Sequence, residues 1–212
     1  PCLGCLLGKS KKKPWRSKAP PHPIRTSSDV PGSSVSVDQL ISSTPGIKPQ
    51  SVGKLTKATI VGAQMFADHS SSPPFLYAHL MENFSLDKTL NANIAFEIMA
   101  ATFHNAILHY RADNGRFADN GFVQACIASD QTICFYGVNA HFQNGIAESN
   151  IGFLQASTRT ILLHALHLWP EMMSLELWPL ALLESTRLGN LTRFDAECRP
   201  PMTNFSRSDA IF

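Results

Sequence analysis

The sequence contains few charged residues and lacks a long apolar run. Of its 212 residues, only 16% are charged and 44% are hydrophobic, a balance typical of a packed core and not of a disordered chain. No stretch reaches the roughly 18 consecutive apolar residues that a membrane-spanning helix needs, so we expect no membrane partner. The length suits one substantial domain with an appendage.

Cysteine is also scarce, and neither an initiator methionine nor a signal-peptide pattern is found at the start. Five cysteines are too few for the disulfide framework of a small secreted domain, which favours a reduced, intracellular protein. Because the chain opens on Pro1-Cys2, we predict that it is a fragment of a longer polyprotein.

Acidic residues are absent from the first 25 positions, which hold seven basic residues. The rest of the chain is net negative, so we expect this basic arm to meet a polyanion. Trp15 lies within the arm, and bases stack on aromatic side chains, which favours nucleic acid binding over a solvated charge run or a localisation signal. The residues of the arm that we predict to contact DNA are Lys11, Lys12, Lys13, Trp15 and Arg16.

The arm begins with a Cys-x-x-Cys motif formed by Cys2 and Cys5. Two thiolates at this spacing supply half of a tetrahedral zinc site, which needs four ligands. His22 is the other candidate ligand nearby, so the motif is incomplete as a zinc site. Chance or a turn is the alternative explanation of the motif.

Hydrophobic patterns predict three strands, followed by alternating helices and strands. The expected strands are 35–41, 59–66, 75–80, 106–111 and 132–136, and the expected helices are 87–104, 119–128 and 146–166. A linker is expected at 26–34 and a long hairpin loop at 45–57. Trp169-Pro170 and Trp178-Pro179 each predict the start of a short helix. This order of elements predicts an α/β fold.

Two of the predicted helices have distinct faces. In the helix 87–104, one apolar face consists of Leu90, Ile94, Ile98 and Ala101. In the helix 146–166, the stripe expected to face the core consists of Ile151, Leu154, Thr158, Ile161, Leu162 and Ala165. The opposite, solvent-facing stripe of that helix consists of Glu148, Gln155 and Arg159.

Two carboxylates stand out by their positions. Asp113 directly follows a predicted buried strand, and Glu148 enters the predicted long helix, with 34 residues between them. Carboxylates are ligands that Mg²⁺ and Mn²⁺ prefer, and two such ions can clamp an in-line phosphoryl displacement. Taken singly, Asp113 fits a turn that its own side chain caps, and Glu148 fits a first-turn acid favoured by the helix dipole.

The stretch from Arg111 to Asn150 carries a resemblance to a known family. With Asp113-Asn114-Gly115 near its start and Gln143-Asn144-Gly145 shortly before Glu148, it resembles the catalytic core of retroviral-type integrases, above all those of copia-type LTR retrotransposons. The family commonly has one residue more between the two carboxylates. The resemblance implies an RNase H-like mixed sheet with helices on both faces. It also implies a polynucleotidyl transferase that trims element DNA 3′ ends with water and joins them to target DNA.

The resemblance implies site residues as well. The first carboxylate of the family lies on the first strand, a place that Asp38 holds, while Asp68 at the end of the next strand is the alternative. Asp38, Asp113 and Glu148 would be the catalytic residues and would hold two Mg²⁺ or Mn²⁺ ions. We further expect Gly152 to leave room for DNA to approach the long helix. The DNA-contacting residues expected in this region are His141, Asn144, Gln155 and Arg159.

The same resemblance sets the expected organisation and setting of the chain. Residues 1–34 would be the remnant of a His-His-Cys-Cys zinc module plus a basic linker, with the two histidines upstream and Zn²⁺ bound only in the intact module. Residues 35–190 would form the catalytic core and 191–212 an exit linker. The partners would be element ends, target DNA and further copies of the chain. The location would be the nucleus, after assembly of the polyprotein in the cytoplasm.

Departures from the family pattern leave other interpretations open. Phe142 stands where a second histidine is usual, Ser149 where a basic residue usually follows the glutamate, and residues 71–74 interrupt an expected serine-plus-basic turn. These departures fit a catalytically inactive remnant that still folds and binds DNA. A host nuclease with an RNase H-like core is a further interpretation, against which the Cys-x-x-Cys motif and the basic linker argue.

Overall fold

The computed structural model describes residues 2–8, 30–49, 59–136 and 145–208. Over these ranges it confirms the predicted class, since a mixed sheet is covered by helices on both faces. No helix within the described ranges is long and apolar enough to cross a membrane.

Within the described ranges, five strands form one sheet in the order β3-β2-β1-β4-β5. They are β1 (Val35–Gly46), β2 (Ile60–Asp68), β3 (Phe75–Met81), β4 (His109–Ala112) and β5 (Thr132–Phe135). The first three strands pair antiparallel, as consecutive strands joined by short or hairpin connections do. By contrast, β4 pairs parallel to β1 and β5 pairs parallel to β4. Parallel pairs need crossover connections, which is where the first long helices lie.

Among the residues that the structure describes, six α-helices accompany the sheet. They are α1 (Leu3–Gly8), α2 (Leu86–Thr102), α3 (Asn120–Ala128), α4 (Gly145–Leu168), α5 (Trp178–Thr192) and α6 (Pro201–Ser206). The crossovers from β3 to β4 and from β4 to β5 contain α2 and α3. As predicted, α5 starts at Trp178-Pro179, with proline in its first turn. The prediction that a helix starts at Trp169-Pro170 is wrong, because these residues form a turn after α4.

Alternate residues of the central strands enter two hydrophobic clusters on opposite faces of the sheet. On one face Phe66 stacks on Phe96 of α2, with ring centroids 4.5 Å apart. On the other face Met65 and its neighbours pack with Leu154 of α4 and Trp178 of α5. This alternation follows from the two-residue period of a strand and decides which face each polar side chain of β1 and β4 occupies.

The expected apolar face of α2 is not the face that packs on the sheet. Ile94 and Ile98 are 52% and 63% exposed, and the buried residues are instead Thr89, Ala92, Asn93, Phe96 and Ala100. Small side chains let the helix lie close to the sheet. Asn93 also accepts a hydrogen bond from a buried side chain of β2, because Gln64 Nε2 donates to its Oδ1 over 2.6 Å. Ile94 and Ile98 therefore face solvent, whereas Leu90 is half-buried against the core.

The Cys-x-x-Cys segment forms a short helix, α1, which the sequence did not predict. This helix packs against α4, where Gly4 and Gly8 let the two backbones approach closely. A Cβ added at Gly8 would lie 2.7 Å from the Cα of Thr160. The cysteines themselves are exposed. Residues 2–8 therefore belong to the packed structure around α4.

The segment expected as an irregular exit linker contributes to the core instead. After α5, residues 201–206 form α6, and Phe205 is 0% exposed. Its ring stacks on Phe75 of β3, with centroids 4.0 Å apart, and Asn105 Nδ2 donates to its carbonyl oxygen over 2.7 Å. A linker would not supply a fully buried aromatic residue, so the described part of 191–212 is part of the fold.

Candidate active site

Adjacent strands bring Asp38 and Asp113 to neighbouring positions. In the parallel pair of β1 and β4, Val35 lies opposite Tyr110 and Ser36 opposite Arg111. Continued by two residues, this register places Asp38 opposite Asp113, the first residue after β4. Neighbouring strands lie about 4.8 Å apart. Val37, which precedes Asp38, belongs to the hydrophobic cluster beneath α2, as do Tyr110 and Ala112 of β4. Because side chains alternate along a strand, both aspartates point to the opposite face, which α4 covers.

Glu148 comes to the same face from the first turn of α4. Its neighbour Ala147 is 3% exposed and lines a small gap with Met65 of β2. Met65 is the antiparallel partner of Asp38, so the start of α4 lies over the strand pair that carries this aspartate. Glu148 itself is exposed. The helix thus delivers a third carboxylate above the two strand ends.

The pKa of Asp38 records the approach of all three carboxylates. The pKa of Asp38 is raised to about 6: burial raises it most, a backbone N–H lowers it, and the negative charges of Asp113 and Glu148 raise it. The lowering contact is the N–H of Gln39, which donates to Asp38 Oδ1 over 2.7 Å. Burial of Asp38 and its repulsion by the other two carboxylates therefore cost free energy in the protein without a bound cation.

The donor set suits a hard divalent cation, which would relieve this repulsion. Oxygen ligands from carboxylates are those that Mg²⁺ and Mn²⁺ take, so Asp38, Asp113 and Glu148 are the residues that would hold the ion. The spacing is wider than a coordination shell, however. Among the described residues, no group of three histidine, cysteine, aspartate or glutamate side chains is close enough to hold a metal ion. The chemistry fits a metal, while the carboxylates stand apart in this structure.

The alternative first carboxylate, Asp68, belongs to a different environment. It lies opposite Val35 at the end of β2 and is 0% exposed. Its Oδ2 accepts from the N–H of Gly32 over 2.6 Å, and its Oδ1 accepts from the N–H of Ser70 over 2.9 Å. Burial raises its pKa, against these hydrogen bonds. Asp68 therefore fixes the segment before β1 through its hydrogen bond to Gly32, and Asp38 is the aspartate that lies beside Asp113.

Comparison with known proteins places this geometry in a known architecture. No protein-family model and no curated protein matches the chain. Among solved structures, a chain of the simian T-cell lymphotropic virus intasome in complex with PP2A regulatory subunit B56 gamma superposes with a TM-score of 0.63 at 13% identity. That match covers 91% of this chain and 60% of the intasome chain. The HTLV-2 integrase catalytic core domain in complex with magnesium, in trimeric and dimeric forms, gives 0.55 at 13% identity over 83% of this chain and 97% of that domain. The fold is RNase H-like.

The RNase H-like core leaves the predicted DNA-contacting stripe of α4 open to solvent. Glu148, Gln155 and Arg159 are all exposed, as the helical period predicted. A Cβ added at Gly152 would meet nothing within 4 Å, so space is available beside the helix there. At 1.5 Å per residue, Arg159 lies about 16 Å along the helix from Glu148. The DNA contact predicted for Arg159 would therefore lie away from the carboxylates.

Several predicted contacts lie outside the described residues of this core. They are Lys11, Lys12, Lys13, Trp15, Arg16, His141 and Asn144. Cys2 and Cys5 are described, and the backbone N–H of Cys5 lowers the pKa of the Cys2 thiol. The roles assigned to all these residues stay predictions.

Two groups of residues near the site were missed by sequence reasoning. Arg193, after α5, donates from Nη1 to Asn150 Oδ1 over 2.9 Å and lies 4.4 Å from the ring centroid of Phe153, which ties α5 to the first turns of α4. Burial lowers the pKa of Arg193. Arg111 lies two residues before Asp113, and its Nε donates to Ser34 Oγ over 3.0 Å. The two-residue period of β4 is the signal that places Arg111 and Asp113 on one face.

Proposed function

We propose that this chain is the integrase core of a copia-type retrotransposon, a metal-dependent enzyme that processes and joins DNA 3′ ends. The observation that carries the proposal is the convergence of Asp38, Asp113 and Glu148 on one face of an RNase H-like sheet, where the latter two charges raise the pKa of the first. The integrase cores among the structural neighbours support the choice of this reaction over others that use paired carboxylates.

Each of the three carboxylates has a separate part in the proposed reaction. Asp38 of β1 and Asp113, which directly follows β4, would hold the divalent ions, and Glu148 of α4 would complete the ligand set. The N–H of Gln39 donates to Oδ1 of Asp38 and fixes the orientation of this carboxylate. When bound, the ions lower the pKa of the attacking water or 3′ hydroxyl and stabilise charge on the phosphate.

The proposed substrate is DNA, both the ends of the element and the target. Gln155 and Arg159 lie on the exposed stripe of α4 that begins at Glu148, and a guanidinium suits phosphate contacts. The basic arm with Lys11–Lys13, and with Trp15 and Arg16, adds charge for the phosphate backbone. We assign the zinc-binding role of Cys2 and Cys5 only to a complete upstream module, and we place the protein in the nucleus, where target DNA lies.

Self-association is part of the proposal. Ile94 and Ile98 of α2 and Leu180 of α5 are 46–63% exposed, and a groove of about 460 Å³ runs along β3 between these two helices. Exposed aliphatic side chains at such a density favour burial against a second copy. The HTLV-2 integrase core among the neighbours is described in dimeric and trimeric forms. We therefore propose a homo-oligomer.

The experiment is a strand-transfer assay with labelled element-end DNA and plasmid target in Mg²⁺ or Mn²⁺. We expect joined products with the wild type and none with Asp113→Asn or Glu148→Gln. Glu171→Gln, which neutralises an exposed carboxylate outside the cluster, is the matched control and should retain activity. Products that persist in Glu148→Gln would refute the assignment of that residue.

A second candidate function is favoured by one observation. Because the described carboxylates do not close around a common point, a remnant that binds DNA without catalysis fits the same structure. In that case DNA binding persists and no end of any sequence is processed with either metal. Absence of product from a wild-type protein that binds DNA would therefore replace the first proposal by this one.

A further inference from the structure

The end of α5 is connected to the first turns of α4 by two hydrogen bonds that share the side chain of Asn150. Arg193 Nη1 donates to Asn150 Oδ1 over 2.9 Å, and Asn150 Nδ2 donates to the carbonyl oxygen of Ile146 over 2.7 Å. Asn150 is 7% exposed. The reverse orientation of its amide would set donor against donor and acceptor against acceptor, so the two partners fix this side chain. Glu148 lies within the helical turn that Ile146 and Asn150 bound.

Packing also holds the guanidinium of Arg193 in place. Its Cζ lies over the ring of Phe153, 4.4 Å from the centroid, and the residue is half-buried. A Cβ added at Gly189, one turn earlier in α5, would lie 2.9 Å from Cε1 of that ring. A side chain at Gly189 would therefore displace the ring on which the guanidinium lies. The glycine lets α5 approach α4 closely enough for Arg193 to reach Asn150.

The same end of α5 is fixed to the sheet. The N–H of Leu76, on the edge strand β3, donates to Asn190 Oδ1 over 2.8 Å, and Asn190 Nδ2 donates to the carbonyl oxygen of Leu76 over 2.7 Å. Both residues are buried, so these bonds tie α5 to the sheet that carries Asp38. Arg193 follows Asn190 by three residues. Its contact with Asn150 therefore gives the first turn of α4 a fixed position relative to that sheet.

Apolar packing places the first turn of α4 less strictly than these hydrogen bonds do. A small gap between the turn and the sheet is lined by Ala147, Asn150 and Ile151 on the helix side. Among the described residues, no three metal-ligating side chains lie close enough to share an ion. A functional side chain needs to be held within about 0.5 Å of its productive position. The position of this turn therefore decides how well Glu148 can act together with the aspartates of the strands.

We propose that Arg193 is a positioning residue for Glu148: through Asn150 it fixes the first turn of α4, and so sets the distance of this carboxylate from Asp38 and Asp113. The proposal rests on the proposed function and adds to it a residue that acts on the metal site without being a ligand. Replacing a residue that orients a metal ligand weakens metal binding by roughly 10- to 100-fold. Because Arg193 acts through one further residue, we expect an effect at the lower end of this range.

The test is calorimetric titration with Mn²⁺ in the absence of DNA. Arg193→Met keeps an unbranched side chain over Phe153 and removes the guanidinium donors, and we expect it to weaken Mn²⁺ binding about tenfold. Loss of a positive charge near the carboxylates would by itself strengthen the binding of a cation, so a weaker affinity does not come from net charge. Arg193→Lys restores the charge and a donor, and its affinity should lie within about threefold of the wild type.

Two further variants separate positioning from general stability. Thr158→Val removes a hydrogen bond between the same two helices, which Thr158 Oγ1 donates to Ser185 Oγ over 3.2 Å. This bond lies about 15 Å along α4 from Glu148, so Mn²⁺ affinity should be unchanged. Asn150→Ala removes the residue that connects Arg193 to the turn. It should weaken binding about tenfold, and adding Arg193→Met to it should cause no further loss.

Melting temperatures identify any variant that is unfolded at the assay temperature. If Arg193→Met is unfolded, Asn150→Ala decides the matter, because it removes the acceptor and leaves α5 unchanged. Wild-type affinity in Asn150→Ala then overturns the proposal.

The outcomes distinguish this proposal from the function on which it rests. Wild-type affinity in Arg193→Met overturns the role of Arg193 and leaves the metal site standing, as does an Arg193→Lys variant that binds no better than Arg193→Met. An equal loss in Thr158→Val overturns it because the effect would be one of general stability. Losses that multiply in the double variant overturn it because the effect would not pass through Asn150. A wild type that does not bind Mn²⁺ removes the proposed function and this proposal with it.

Discussion

Neutralising Asp38 should make the metal-free protein more stable at neutral pH. Its carboxylate is buried beside two other negative charges, and asparagine can still accept the N–H of Gln39 through its side-chain oxygen. Asp38→Asn therefore removes charge and burial cost while keeping shape and one hydrogen bond. A catalytic or ligand-binding residue that destabilises the resting protein in this way is expected where function and stability compete.

The size of the effect follows from the pKa. Its rise from 3.8 to about 6 corresponds to about 3 kcal/mol at 1.36 kcal/mol per unit. Because the folded state holds the proton more tightly, the contribution is fully present below pH 3.8 and is lost as the pH rises through about 6. Asparagine is neutral throughout, so at pH 7.5 the variant should gain roughly 2–3 kcal/mol. For a domain of this size that is an increase in Tm of about 4–12 °C.

The assay is thermal unfolding in EDTA at pH 5.0 and 7.5. The difference in Tm between Asp38→Asn and wild type should be about twice as large at pH 7.5 as at pH 5.0, because at pH 5.0 only about half of the contribution has been lost. Glu171→Gln, an exposed carboxylate elsewhere, should show no such difference. A variant that is less stable than the wild type at pH 7.5, or a difference independent of pH, would refute the reasoning about the cluster.

Three further predictions concern core packing, the contact between α5 and α4, and self-association. Phe205→Ala should lower the free energy of unfolding by about 3–5 kcal/mol in urea, and a loss below about 1 kcal/mol would mean that α6 is not part of the core. Arg193→Ala should cost about 1–3 kcal/mol because it removes a hydrogen bond and a ring contact to α4, whereas exposed Arg187→Ala should cost less than about 1 kcal/mol. Ile98→Glu should weaken self-association in sedimentation experiments without lowering Tm. Ile127→Glu, which changes a similarly exposed residue of α3, should leave self-association unchanged. Equal association of both variants would mean that the interface lies elsewhere.

Local patterns in the sequence predict the parts of the site that depend on one element at a time. Asp113 follows a buried strand, and the exposed stripe of α4 follows from the 3.6-residue period, so both could be placed without tertiary information. The choice of Asp38 over Asp68 needed the resemblance to a family. The register shows why it is physically reasonable, since Asp38 continues the pairing of β1 with β4 and Asp68 bonds to the segment before β1.

Other features depend on contacts between elements far apart in the sequence, and the hydrophobic periodicity of a single element gives no information about such contacts. The aliphatic side chains of α2 predicted one buried face, but a different face packs on the sheet. On that face Phe96 stacks on Phe66, and Asn93 accepts a hydrogen bond from Gln64. The helix α6 has only six residues, and its burial depends on a ring stack with β3. The hydrogen bond from Arg111 to Ser34 forms only because the parallel register of β1 and β4 brings these two distant positions together.

The central claim is that Asp38, Asp113 and Glu148 form a divalent metal site, and calorimetric titration with Mn²⁺ tests it without DNA. The account predicts that the wild type binds Mn²⁺ and that Asp113→Asn weakens this binding at least about tenfold, since one charged ligand is lost from the site. Glu171→Gln should bind as the wild type does. Binding of equal strength in the wild type and Asp113→Asn, or no binding by the wild type, would contradict the claim.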